Sequence, residues 1–236
     1  FPNPLCADSG ASVGAALIAD KKLNKSKISK LRTLSLGPDY NDNIIKKILI
    51  ENKIKFIKPK NLSRYVANLL SRKKVVGWFQ GRMEAGPRAL GNRSILGDPR
   101  DIKMRDKINE IIKYREMWRP FCPSILSEEV KNFFIESYKS KYMTISFDAK
   151  KNLKKMAPAI VHIDNTCRIQ SVDKIYNKKF YKLIKEFKNL TRVPVLLNTS
   201  FNIKGEPIVC TPRDALRTFY STGLDALAIE SYVILK

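Results

Sequence analysis

Histidine is almost missing: His162 is the single one in 236 residues. One imidazole cannot build a multi-histidine metal site by itself, whatever surrounds it. The four cysteines, Cys6, Cys122, Cys167 and Cys210, lie far apart with no Cys-x-x-Cys spacing. That excludes a zinc knuckle and a disulfide framework and points to a reducing, cytoplasmic setting. No apolar run approaches the roughly 20 residues that span a bilayer, and the opening FPNPLCADSG lacks the basic-then-apolar order of a signal peptide. It also lacks an initiator methionine, so the chain reads as a piece of a longer one. Acid is scarce as well: 22 Asp and Glu against 45 Lys and Arg leave a net charge of +23. Such an imbalance favours polyanions by long-range attraction, which keeps both phosphates and nucleic acid under consideration. A lysine-rich solvated surface is the plainer explanation of much of it.

What is present is uneven. Of 14 arginines, seven fall between Arg82 and Arg119, whereas the 31 lysines crowd the polar stretches on either side. The segment from Gly77 to Arg100, GWFQGRMEAGPRALGNRSILGDPR, sets Arg82, Arg88 and Arg93 among Gly81, Gly86, Gly91 and Gly97, directly after an apolar strand-like run. Glycine lets backbone N–H groups approach a ligand, and guanidinium offers a rigid donor fork that matches phosphate or carboxylate. The segment is therefore an expected anion-binding loop and the centre of function.

Hydrophobic spacing predicts an α/β domain. Residues 8–20 read as a glycine turn and a small apolar helix, with a charged linker after them over Lys21–Lys30. Helices are expected from Asn41, after a cap at Ser63, from Asp101, over Asn177–Asn189 and over Pro212–Ser221, the last with Thr211 and Asp214 spaced as a capping box. Strands are expected at Val75–Phe79, Tyr142–Phe147, Ala159–Ile163, Arg168–Val172 and Val193–Leu197, with WRPFCPSI as a rigid extended connector. Ligands usually sit in loops at the ends of such strands.

Further chemistry-bearing segments are KYREMWRP, HIDNTCRIQ and NTSFNIKGE. Lys113, Arg115 and Arg119 add positive charge. Asn198, Ser200 and Asn202 end an apolar strand with short side chains able to bond a nucleotide, a helix cap being the plain alternative. His162 and Asp164, two apart in an expected strand, would face one pocket together with Arg168.

GRMEAGPRALGNRSIL, INEIIKYREMWRPFCPSI, APAIVHIDNTCRIQSV and PVLLNTSFNIKGEPIV closely resemble, in order and spacing, the carboxy-terminal region of O-carbamoyltransferases of the NodU and tobramycin carbamoyltransferase type. The resemblance covers Leu36 to the end. It implies a YrdC-like domain over residues 36–236, a twisted mixed sheet with flanking helices. Residues 1–35 would be the remnant and linker of an actin-like, iron-binding, carbamoyl-transferring domain that is otherwise missing. In that family the YrdC-like domain takes carbamoyl phosphate and ATP with Mg2+ and forms carbamoyladenylate. The other domain passes the carbamoyl group to a hydroxyl acceptor, which the sequence does not identify.

The resemblance also implies an iron ligand at Asp8 in the full-length protein, with Ala7 standing where the family often has glycine. The other ligands would lie upstream, so no intact iron site is expected in this fragment. The reading assigns catalysis to Arg88, Arg93 and Arg119. Substrate and nucleotide binding go to Arg82, Asn92, Lys113, Arg115, His162, Asp164, Arg168, Asn198, Ser200 and Asn202. The rival is an RNA-binding YrdC-like module. Against it, the chain has no RNP-type aromatic motif, and its arginines sit among glycines and amides instead of interleaving with aromatics.

Overall fold

The computed structural model describes residues 4–5, 8–27, 31 and 33–236. Its main strands are β1 (Val76–Phe79), β2 (Arg93–Gly97), β3 (Cys122–Leu126), β6 (Gln170–Val172), β7 (Val195–Ser200), β8 (Ala226–Ile229) and β9 (Tyr232–Leu235). These seven hydrogen-bond in the spatial order β6-β3-β7-β2-β1-β8-β9. Short strands β4 (Ser146–Asp148) and β5 (Thr166–Arg168) form a separate antiparallel pair. The large sheet is mixed: β1 runs parallel to β8 and β3 to β6, and the other neighbours are antiparallel. Strands β1, β2, β3 and β8 are buried along their whole length, as expected of strands covered on both faces.

The helices are α1 (Asp8–Asn24), α2 (Asp42–Glu51), α3 (Leu62–Ser71), α4 (Lys103–Ile111), α5 (Val130–Phe133), α6 (Lys151–Met156), α7 (Lys178–Thr191) and α8 (Pro212–Tyr220). In α7, Phe180, Leu183, Ile184 and Phe187 form a buried stripe at helical spacing. This helix packs against α3, whose Val66, Ala67 and Leu70 are buried. The expected capping box holds at Thr211 with its reciprocal Asp214 bond, and Asn41 and Asn177 cap α2 and α7. No helix among the described residues is long and apolar enough to cross a membrane.

Several expectations are corrected. Helix α3 is capped by Asn61, which accepts from Arg64 N, so Ser63 lies inside the first turn. The opening DSGASVG is helical and continuous with AALIA; α1 has no buried residue. The linker expected at Lys21–Lys30 therefore begins only after Asn24, and its residues 28–30, like Cys6 and Ala7, lie outside the described residues. Ala159–Ile163 is no strand, because Pro158 starts a 3-10 turn over Pro158–Ile160. The run Arg168–Val172 breaks at Ile169 between two sheets, and Tyr142–Phe147 contributes only its end, to β4. The supposed connector CPSIL is β3, an interior strand. Part of the arginine-glycine segment is β2, where Gly97 is a strand residue; a Cβ there would lie 3.0 Å from both Met104 and Ile108.

Candidate active site

The arginine-glycine loop folds around an anion of its own. Glu84 is buried, and its Oε1 accepts from the backbone N–H of Leu90 (2.6 Å), Asn92 (2.7 Å) and Arg93 (3.4 Å). The loop's amide donors thus hold an internal carboxylate, whose pKa burial pushes up. Gly91 permits the tight path: its φ is +98°, and a Cβ there would sit 2.2 Å from Phe180. Asn92 is structural here, donating to Ser35 Oγ (2.8 Å) and the Arg82 carbonyl (2.6 Å) while accepting from Asn177 (2.8 Å).

The three loop arginines divide by role. Arg93 is fully buried; its Nη1 donates to the carbonyls of Gln80, Gly81 and Asn92 at 3.0–3.1 Å and its Nη2 to Pro38 (3.2 Å). Its guanidinium lies 3.5 Å above the Phe79 ring. It braces the loop from a fully buried position, with Nε left without a partner. Arg82 spends Nε and Nη2 on the Gly37 and Leu36 carbonyls (3.0 and 2.7 Å), fastening residues 36–37 to the loop. Arg88 differs: its side chain has no hydrogen-bond or ion-pair partner among the described residues, and burial together with the charge of Arg168 lowers its pKa.

Arg168, at the end of β5, donates from Nη2 to Cys122 Sγ (3.3 Å), and its Nε is buried without a partner. Cys122, at the start of β3, lies within electrostatic range of both Arg88 and Arg115. His162 is half-buried with Nε2 unpartnered, and burial and Arg168 hold its pKa below 6.5, Asp164 opposing them. Three arginines thus converge around Cys122, with His162 beside Arg168. No salt bridge joins Arg88, Arg115 or Arg168 to a carboxylate among the described residues.

His162 and Asp164 do not share a strand face. Residues 162–165 make a turn closed by Asn165 N to His162 O (2.9 Å), with Asn165 at φ 66°. Asp164 is exposed and caps that turn, accepting from Thr166 N (2.9 Å) and Oγ1 (2.8 Å).

Lys113 is buried and reaches across to the end of β7. Its Nζ lies within hydrogen-bond distance of Ser200 O (2.6 Å), Ser200 Oγ (3.1 Å), Asn202 O (3.0 Å) and Asn202 Oδ1 (2.6 Å). Burial and the neighbouring Arg115 lower its pKa from 10.5 to about 7. Arg115 donates from Nε to Asn109 Oδ1 (2.7 Å) and lies 4.8 Å from the Phe121 ring. Buried Asn109 also bonds the Met117 and Arg119 carbonyls, which fixes the 113–119 loop. Arg119 is exposed and paired with Glu116 (2.9 Å). Asn198 pairs with Cys122 in the β3–β7 ladder, and its Nδ2 contacts Ser124 Oγ (2.9 Å) and the Ala89 carbonyl (3.2 Å), tying the Arg88 loop to the sheet.

Arg88, Lys113, Arg115, His162, Arg168, Asn198, Ser200 and Asn202 are therefore gathered around adjacent ends of β3 and β7. Arg82, Asn92 and Arg93 form the frame behind them. Asp8 is exposed in the first turn of α1. Among the described residues no three His, Cys, Asp or Glu side chains converge as metal ligands. Sequence reasoning missed Glu84, Asn109 and Cys122; the first carried a signal, being the one acid between Gly81 and Arg93.

Residues 67–236 match the model of the family described as Carbamoyltransferase C-terminus. The chain belongs to that family. This carbamoyltransferase C-terminal domain is 40% identical to an uncharacterized protein of Synechocystis sp. (strain ATCC 27184 / PCC 6803 / Kazusa), over 99% of the chain and 43% of that protein. It is 39% identical to Nodulation protein NolNO of Sinorhizobium fredii (strain NBRC 101917 / NGR234), over 100% of the chain and 36% of that protein. The domain thus spans less than half the length of these relatives. Its fold is that of YrdC-like domains. Full-length HypF in the phosphate- and nucleotide-bound form aligns at a TM-score of 0.53 and 20% identity, over 75% of this chain and 26% of that one. P. abyssi Sua5 complexed with L-threonine aligns at 0.51 and 16%, over 67% and 44%.

Proposed function

We propose that this domain forms carbamoyladenylate from carbamoyl phosphate and ATP, and that the remainder of a longer chain transfers the carbamoyl group to a hydroxyl acceptor. One observation carries the reading: Arg88 and Arg168 lie close enough to repel one another with no carboxylate pairing either, and the Arg168 Nε–H is buried and unpartnered. Buried donors without acceptors call for an anionic ligand. Phosphoryl and adenylyl transfer depend mainly on positioning and on neutralising charge at the transferring oxygens, so a guanidinium cluster suffices without a side-chain nucleophile.

Arg88, Arg115 and Arg168 bind the carbamoyl phosphate oxygens. Water adds to carbamoyl phosphate as the bond to its phosphate group breaks, giving carbamate, phosphate and a proton; a carbamate oxygen then forms a bond to the α-phosphorus of ATP while the bond from that phosphorus to the α–β bridging oxygen breaks and pyrophosphate leaves with that oxygen. Lys113, near neutrality able to hold or release its proton, keeps the Ser200–Asn202 loop beside the reacting groups. Mg2+ enters as part of the MgATP substrate. Iron, if the full-length protein binds it, would need ligands beyond Asp8. Met117, Trp118 and Ile163, adjacent in sequence to Arg115, Arg119 and His162, are exposed apolar groups that the rest of the longer chain would cover.

The test is mass-spectrometric detection of carbamoyladenylate after incubation with MgATP and carbamoyl phosphate. The expected result is the adduct from the unaltered protein and its loss in Arg168→Ala. An adduct undiminished in that variant would remove the cluster from the chemistry.

A further inference from the structure

Away from the basic cluster, α3, α7 and the β8–β9 turn line an open cavity of about 740 Å³. None of Arg88, Arg115, His162 and Arg168 lines it. We propose that this cavity is a second ligand site, for a small phosphorylated molecule that also carries a hydroxyl or amino donor.

Charge is the first support. Lys182 and Lys185 project from one face of α7, and Lys60 and Lys174 flank them; none of the four has an ion-pair partner among the described residues. Lys179 also lines the cavity and pairs with Glu230, whose other carboxylate oxygen accepts from Gly81 N. Glu230 is thereby committed, and Glu186 is the other acid in the lining. Five ammonium groups against two carboxylates leave an excess of positive charge facing this open cavity.

A second support is independent of charge. Gln80 is 1% exposed and lines the cavity; its Nε2 donates to the Glu230 carbonyl (2.9 Å), which fixes the amide's orientation, and its Oε1 has no donor. A buried acceptor left empty costs stability unless something donates to it. Glu230, which positions that amide, sits at φ 45°, a strained conformation for a residue with a side chain. The N-terminal end of α3, at Asn61 to Ser63, adds its partial positive charge at the rim.

The volume falls in the range of small-molecule sites. The aromatic lining does not favour stacked bases: Trp78 is fully buried and Tyr181 is tied to Glu128 through its hydroxyl. A sugar phosphate or amino-alcohol phosphate satisfies both halves of the site. Anions bind to lysines as to point charges, so the expected affinity is modest and salt-dependent.

The experiment is calorimetric titration of glucose 1,6-bisphosphate into protein carrying Arg88→Ala, Arg115→Ala and Arg168→Ala, which removes the three guanidinium groups assigned to phosphate at the first site, and into the same protein carrying Lys182→Gln and Lys185→Gln. Both lysines are exposed, so the fold should be unaffected, and thermal melting checks this. The proposal expects submillimolar binding that weakens about tenfold or more in the lysine variant. Absence of binding, or equal affinity in both proteins, overturns it. Tighter binding of an oligouridylate than of the sugar bisphosphate, lost in the same variant, would also overturn it by reassigning the surface to nucleic acid.

Discussion

Replacing Lys113 with methionine should produce a stability difference that grows with pH. The wild-type amine is 4% exposed and has its pKa pushed down to about 7 from 10.5. Above 10.5 neither the folded nor the unfolded chain carries the charge, and burial is free of penalty. Between 10.5 and 7 the unfolded chain holds a proton that the folded chain has released, so stability falls by about 1.4 kcal/mol for each pH unit descended. Below 7 both states are charged and the penalty is constant. Methionine fills a similar volume and titrates nowhere, but it leaves the carbonyls of Ser200 and Asn202 without their donor, at about 1–3 kcal/mol each. At pH 6 to 7 the relief and the loss oppose each other and the two proteins should melt close together. By pH 9 wild type should gain about 2–3 kcal/mol over the variant, about 5–10 °C for a chain of this size. Differential scanning calorimetry at pH 6, 7, 8 and 9 reads this directly. A wild-type-minus-variant difference that stays flat across the range would refute a depressed Lys113.

Arg88→Ala should lower adenylate formation by about a hundredfold, near 3 kcal/mol of transition-state stabilisation, with little change in melting temperature because the side chain braces nothing; a matching loss of stability would contradict this. Glu84→Gln should destabilise by about 2–4 kcal/mol in urea unfolding, since three backbone donors lose a charged acceptor. Arg93→Lys should also destabilise, by about 2–3 kcal/mol, because an ammonium cannot bond four carbonyls and stack on Phe79 at once; unchanged unfolding would show that those bonds contribute nothing.

The sequence revealed chemistry better than geometry. Spacing alone located α2, α7 and α8, because amphipathic stripes and side-chain caps are local signals. Strand β3 was hidden because two prolines in RPFCP resemble a connector, and β2 because glycine and arginine resemble loop. Both become strands through pairing with β7, a contact that no local pattern announces. The candidate site was legible as a set of residue types. Which arginine faces a ligand was not: Arg82, Arg88 and Arg93 look alike in sequence, and only the positions of backbone carbonyls and of Glu84 separate brace from binder. The expected strand pairing of His162 with Asp164 failed because Asn165 in the left-handed region turns the chain between His162 and Thr166. Yet His162 still reaches Arg168, since β5 brings the arginine back alongside it.

Pyrophosphate release from MgATP, by the unaltered protein and by Arg88→Ala, each with and without carbamoyl phosphate, reads the adenylate-forming step itself. Adenylate formation in this domain predicts release that requires carbamoyl phosphate and falls about a hundredfold in the variant. Release that is indifferent to carbamoyl phosphate, or equal in the two proteins, would contradict it.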